Sequence, residues 1–177
     1  LDGLFSLAER LYGIRVKEVP ARQSLSGIPA GESAGAVEVW HPDVRFFTID
    51  DGNGNRLGSF YLDLFSRSNK RAGAWMNTLD TGSPSTPETP GKPRLGMVCL
   101  NIHPPSAGDT VTLSHREVRT LFHEFGHLLH LMFTRVSIPS LAGTSVPRDF
   151  VEVPSQFMEN WCWRPDVLKS FARHERT

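Results

Sequence analysis

An α+β fold, with a small antiparallel or mixed β-sheet followed by helices, is predicted by the order of local signals along the 177 residues. Two observations carry that prediction. From residue 14 to residue 102 the apolar residues fall in short β-branched and aromatic runs separated by turn chemistry, and from Ser114 onward they recur at helical spacing. No internal repeat interrupts this single change of period.

The elements follow in order. Residues 2–12 place Leu4, Phe5, Leu7, Ala8, Leu11 and Tyr12 on one helical face, and Gly13 supplies a C-terminal stop. Residues 14–19 alternate as a strand. Residues 20–35, rich in Pro, Ser, Gly and Ala without apolar period, read as a mobile connection. Residues 36–40 and 44–50 are strand-like. The turn Asp51-Gly52-Asn53-Gly54 joins the second of these to a strand over residues 57–65, a β-hairpin. Residues 80–93 form a second Pro/Ser/Thr/Gly segment before a strand over 95–102, which ends ahead of Pro104-Pro105. Ser114-His115-Arg116-Glu117 has capping-box form and starts a long helix. After a Gly/Ser/Pro stretch over 138–147, residues 149–161 show a second helical pattern. The division is thus 1–113, a helix plus small sheet, and 114–177, helices.

Composition narrows the function. Nineteen Lys+Arg balance 19 Asp+Glu at a pI near 7.2, and 39% of residues are hydrophobic. That is a globular composition able to bury a core, with no electrostatic field to gather nucleic acid or anionic lipid. No apolar run approaches the roughly 20 residues of a membrane span. Two cysteines, Cys99 and Cys162, are too few for a disulfide framework, which fits a reducing compartment. The chain opens without Met and stops in a charged stretch, so it reads as a fragment of a longer protein.

The first long helix carries the chemistry. At 100° per residue, Leu121, Phe122, Phe125, Leu128, Leu129, Met132 and Phe133 share an apolar arc, and His123, His127 and His130 form a separate stripe nearly opposite. His123-Glu124-Phe125-Gly126-His127 is a His-Glu-x-x-His pattern: two imidazoles one turn apart can share a zinc ion. Glu124 lies beside the water that such a zinc would activate and can accept its proton. A catalytic zinc needs a third protein ligand and one open position, and Glu152 on the second helical pattern can be that ligand. Glu159, on the same face, is a candidate acceptor for the free N–H of a zinc-binding histidine, against the alternative of a solvated or ion-paired carboxylate. His130 is a second candidate for such a supporting role. The strand over 57–65, including Gly58, Ser59, Phe60 and Tyr61, is a candidate edge for an extended peptide, against the alternative of an ordinary packed strand. His41 and His103 read as structural. Asn69-Lys70-Arg71 reads as a solvated basic cluster, and both cysteines as core thiols.

Phe122-His123-Glu124-Phe125-Gly126-His127, Asp149-Phe150-Val151-Glu152-Val153-Pro154-Ser155-Gln156 and Gly58-Ser59-Phe60-Tyr61-Leu62-Asp63-Leu64 resemble the thimet oligopeptidase family of zinc metallopeptidases. Val39-Trp40-His41-Pro42-Asp43-Val44-Arg45-Phe46-Phe47, Asn69-Lys70-Arg71-Ala72-Gly73-Ala74-Trp75-Met76 and Gln156-Phe157-Met158-Glu159-Asn160-Trp161-Cys162-Trp163 extend the likeness over nearly the whole chain, in the family's order. The resemblance implies one zinc per chain held by His123, His127 and Glu152, with Glu124 as general base. It implies short peptides cut internally, in the cytoplasm or an organellar matrix or stroma, by a monomeric, mainly helical gluzincin-type enzyme of which this chain is the catalytic core. Dipeptidyl carboxypeptidase specificity and a non-catalytic zinc module are the alternatives. Residues 20–36 look longer than the family's equivalent connection. Family members are several times longer and supply, C-terminal to this region, tyrosine and histidine side chains that contact substrate, so the chain alone is expected to bind metal and hydrolyse little.

Overall fold

The computed structural model describes residues 1–23, 36–84, 90–105 and 111–173. Helix α1 (Asp2–Tyr12) buries Leu4, Leu7 and Ala8, and stops where Gly13 turns left-handed at φ 67° and donates to the Glu9 carbonyl. Among the described residues seven strands follow: β1 (Arg15–Val19), β2 (Ala21–Gln23), β3 (Val37–Val39), β4 (Arg45–Asp50), β5 (Arg56–Phe65), β6 (Trp75–Asp80) and β7 (Arg94–Ile102). The main sheet has the order β1-β4-β5-β7-β6 and is mixed: β5 and β7 run parallel, and the other neighbours are antiparallel. The β4–β5 hairpin forms as the Asp51-Gly52-Asn53-Gly54 turn predicts, with an irregularity between Ile49 and Asp50.

Three expectations are corrected here. The 20–35 connection begins with a strand, because β2 pairs in parallel with β3 as a separate two-stranded sheet. The expected mobility and extra length of that connection fall on residues 24–35, outside the described residues. Strand β6, which no local pattern announced, completes the sheet. The helical pattern over 149–161 is three pieces: α3 (Arg148–Val151), α4 (Val153–Glu159) and a 3₁₀ turn, Asn160–Trp163. Pro154 sits in the first turn of α4, where its missing N–H is harmless, and the break falls at Glu152.

Helix α2 (His115–Met132) lays its apolar arc across one face of the sheet. Two glycines permit the approach. A Cβ on Gly58 would stand 2.4 Å from Met132 Sδ, and one on Gly96 would stand 2.6 Å from a Leu128 methyl. Between the layers Phe60 stacks on Phe47 at 5.2 Å and meets the Phe125 edge at 6.0 Å. A short helix, α5 (Pro165–Phe171), closes against α1.

On the opposite face of the sheet, Asp63, Cys99 and Trp75 form a row across β5, β7 and β6. Asp63 is buried and bound by Arg67 at 2.7 and 2.8 Å, by Lys70 at 2.8 Å and by Trp40 Nε1 at 3.1 Å. Lys70, expected to be solvated, is as buried as Asp63. Both thiols are buried as expected, and burial pushes Cys99 up to about 11 and Cys162 up to about 12. His41 lies beside Asp43 at 3.5 Å, and His103 is exposed.

Candidate metal centre

The site is built where α2 meets α4. Ser114 accepts from the Glu117 N–H while the Glu117 carboxylate accepts from the Ser114 N–H, so the start of α2 is fixed by a capping box. Eight residues later His123 emerges, and His127 follows one turn on. Their rings lie 4.9 Å apart, edge to face. Gly126 between them sets the distance to α4: a Cβ there would stand 2.6 Å from the Pro154 carbonyl oxygen and from Ser155 Cα. That contact brings the break before α4 over the histidines.

Glu152 Oε2 lies 3.2 Å from His123 Nε2 and 3.3 Å from His127 Nε2. One ligand atom from each of the three residues lies within 4.8 Å of the others. Tetrahedral zinc bonded at about 2.0–2.1 Å separates its ligands by about 3.3–3.4 Å, so the donor set and two of its spacings fit that ion. Ser155 Oγ donates to Glu152 Oε2 at 2.9 Å and fixes the carboxylate rotamer. Glu159 Oε1 lies 2.6 Å from His123 Nδ1, turning the opposite ring nitrogen toward Glu152. Arg119 holds the other Glu159 oxygen at 3.3 Å. Sequence reasoning did not single out Arg119; its position one turn before His123 was the available signal.

Glu124 points toward the sheet edge and is 7% exposed. Burial raises its pKa, with a further push from the Glu152 carboxylate, against the pull of His123 and the Met76 backbone N–H. Burial lowers the pKa of His127, which favours the neutral imidazole that binds metal.

His130 stands apart from this cluster. Burial lowers its pKa, its Nδ1 has no partner among the described residues, and its ring lies 6.3 Å from that of Phe150. It lines an apolar groove of about 520 Å³ with Val153, Phe157 and Leu141, on the flank of α4 away from Glu152 and Glu159. Gly58, Ser59, Phe60 and Tyr61 are not at an edge: β5 is paired with β4 on one side and with β7 on the other. A backbone edge can accept a strand only where its N–H and C=O groups are unpaired. In this sheet the edge beside Glu124 belongs to β6.

Residues 1–177 match the family described as Peptidase family M3. The chain belongs to peptidase family M3. It is 45% identical over 178 residues to oligopeptidase A of Escherichia coli, and 42% identical over 182 residues to an organellar oligopeptidase A of Arabidopsis thaliana. To the E. coli dipeptidyl carboxypeptidase it is 41% identical over 173 residues. These alignments take in 100%, 100% and 98% of this M3 chain but 24%, 21% and 23% of the respective relatives. The M3 chain therefore spans about a quarter of the length of those proteins. No described helix is long and apolar enough to cross a membrane.

Proposed function

We propose that residues 1–177 are the zinc-binding catalytic core of a gluzincin-type oligopeptidase that hydrolyses internal bonds of short peptides. One observation carries the reading: a single Glu152 oxygen stands 3.2 and 3.3 Å from the facing nitrogens of His123 and His127, with buried Glu124 on the same helical turn. His123, His127 and Glu152 would hold one zinc ion, and three protein ligands leave the fourth position for water or substrate. A zinc ion held there supplies Lewis acidity toward a peptide carbonyl and lowers the pKa of a bound water toward neutrality. Glu124, its pKa raised by burial, takes the proton of the attacking water and returns it to the leaving amine. Glu159 keeps His123 in the ligand orientation. The outer edge of β6, which no described strand covers and where Glu124 takes the Met76 N–H, offers its remaining main-chain groups to an extended peptide, in place of the Gly58–Tyr61 segment.

Family membership supports peptide hydrolysis; both oligopeptidase A and a dipeptidyl carboxypeptidase are among the relatives, and internal cleavage is the reading proposed here. Action in the cytoplasm as a monomer completes the reading. Elemental mass spectrometry of the purified protein tests it. About one zinc per chain, lost in His127→Ala, is expected; a folded protein that takes up no zinc would overturn the ligand assignment.

A further inference from the structure

The loop between β5 and β6, residues 66–74, is held more firmly than a connection requires. Arg67 and Lys70 reach back to buried Asp63, and Lys70 Nζ also donates to the carbonyls of Asp63 and Phe65 at 2.8 and 2.9 Å. Asn101 Nδ2 on β7 donates to the carbonyls of Arg71 and Gly73 at 2.8 and 2.6 Å. Gly73 takes φ 96°, which turns the chain into β6. The product of this scaffolding is the placement of Arg71. Its guanidinium lies 4.3 Å from the ring centroid of Trp75, the first residue of β6. Among the described residues its side chain has no hydrogen bond or ion pair. Stacking uses the face of the guanidinium and leaves the N–H donors in its plane free.

We propose that Arg71 recognises a carboxylate on the substrate peptide, C-terminal to the scissile bond. The assignment rests on the zinc-peptidase reading. The Met76 N–H meets Glu124, so the reacting carbonyl lies opposite the start of β6. A peptide pairing antiparallel with β6 runs its C-terminal side back past Trp75. At about 3.3 Å per residue it reaches Arg71 within one to three residues of the cut. The reversed peptide would bring its ammonium terminus against the guanidinium, so Arg71 also sets the direction of binding. Trp75 and Arg71 lie on the sheet face away from α2, where the terminal carboxylate or an upward-facing Asp or Glu side chain of the peptide can form a bidentate pair.

The test uses the full-length protein with matched peptides: a free C-terminal acid, its C-terminal amide, and acidic-to-amide exchanges at the residues after the cut. The wild-type protein is expected to prefer one carboxylate-bearing form by about ten- to a hundred-fold in kcat/KM, mainly through KM. In Arg71→Ala that ratio falls to about one, and in Arg71→Lys it is partly restored, with zinc content unchanged in both. Preference for the acid over the amide assigns the terminal carboxylate, and preference at a side chain assigns that residue. A variant that keeps the wild-type ratios, or a wild-type protein that shows none, refutes the role of Arg71 while leaving peptide hydrolysis intact. Absence of any metal-dependent peptide hydrolysis defeats the peptidase reading itself.

Discussion

Glu159 has one oxygen on His123 and the other on Arg119, so a single carboxylate links the ligand ring to a charge one turn earlier on α2. Replacing it by Ala frees the ring to rotate, and zinc affinity should fall about 10- to 100-fold in a metal-buffer titration. Glu124→Gln has the opposite signature. The metal ligands are untouched, so zinc stoichiometry should persist while turnover falls by about 10²- to 10⁴-fold; a variant with wild-type turnover would remove Glu124 from its role. The pair His123 and His127 was legible in the sequence because one helical turn fixes their relation without help from the rest of the chain. Lys70 was not. A loop lysine looks solvated until the fold places Asp63 beside it. Burial pushes the Asp63 pKa up, but hydrogen bonds from Arg67, Lys70 and Trp40 together outweigh it and hold the carboxyl low. With a folded pKa below the unfolded value of about 3.9, Asp63 adds stability above that pH and loses it as pH falls through the folded value. Asp63→Ala should cost about 3–5 kcal/mol near neutral pH, because it leaves the buried Lys70 ammonium without its carboxylate. The gap in denaturant midpoint between wild type and Asp63→Asn should narrow below about pH 4; a constant gap would show that ionisation of Asp63 is not what matters.

The relation between α2 and α4 depends on one missing side chain. Gly126→Ala forces a methyl into the Pro154 carbonyl and the Ser155 backbone, neither of which can swing aside as a flexible side-chain end would. The helices must separate by several tenths of an ångström or more, and that separation acts directly on the Glu152 contacts with His123 and His127. Gly126→Ala should therefore lower both thermal stability and zinc affinity, whereas the exposed neighbour change Gln156→Ala should leave both near wild type. Retained zinc affinity in Gly126→Ala would show that α4 is free to adjust. The long helix and the hairpin were readable because a capping box and a four-residue turn act over short distances. The interruption at Glu152 was partly readable from Pro154, but that proline was equally compatible with a first turn or a kink. The order of strands was not readable. Trp75-Met76-Asn77-Thr78-Leu79-Asp80 has no clean alternation, and among the described residues it is an edge strand, with no strand on its outer side. The strand expected over 57–65 is the central strand of the sheet, paired on both sides, which is why it could not be the peptide-binding edge.

At the scale of the whole molecule, the sheet and α2 enclose one apolar core, while the outer flank of α3 and α4 remains uncovered. Leu141, Phe150, Val153 and Phe157 are each about half exposed, and Leu141, Val153 and Phe157 line the same groove. Burial of a side chain of this size is worth about 1.5–3 kcal/mol, so leaving such a cluster in water forgoes stabilisation that any apolar contact would recover. The chain also carries no net charge to keep copies apart. The 177-residue chain on its own should therefore self-associate at micromolar concentration, with a light-scattering mass above the 19.7 kDa of one copy. Val153→Lys combined with Phe157→Glu places opposite charges in the groove without altering net charge, and should return the mass toward 19.7 kDa. Because both side chains point away from Glu152 and Glu159, zinc content should be preserved in the double variant. A chain that is monomeric without these changes would show that the exposed cluster is too weak to drive association.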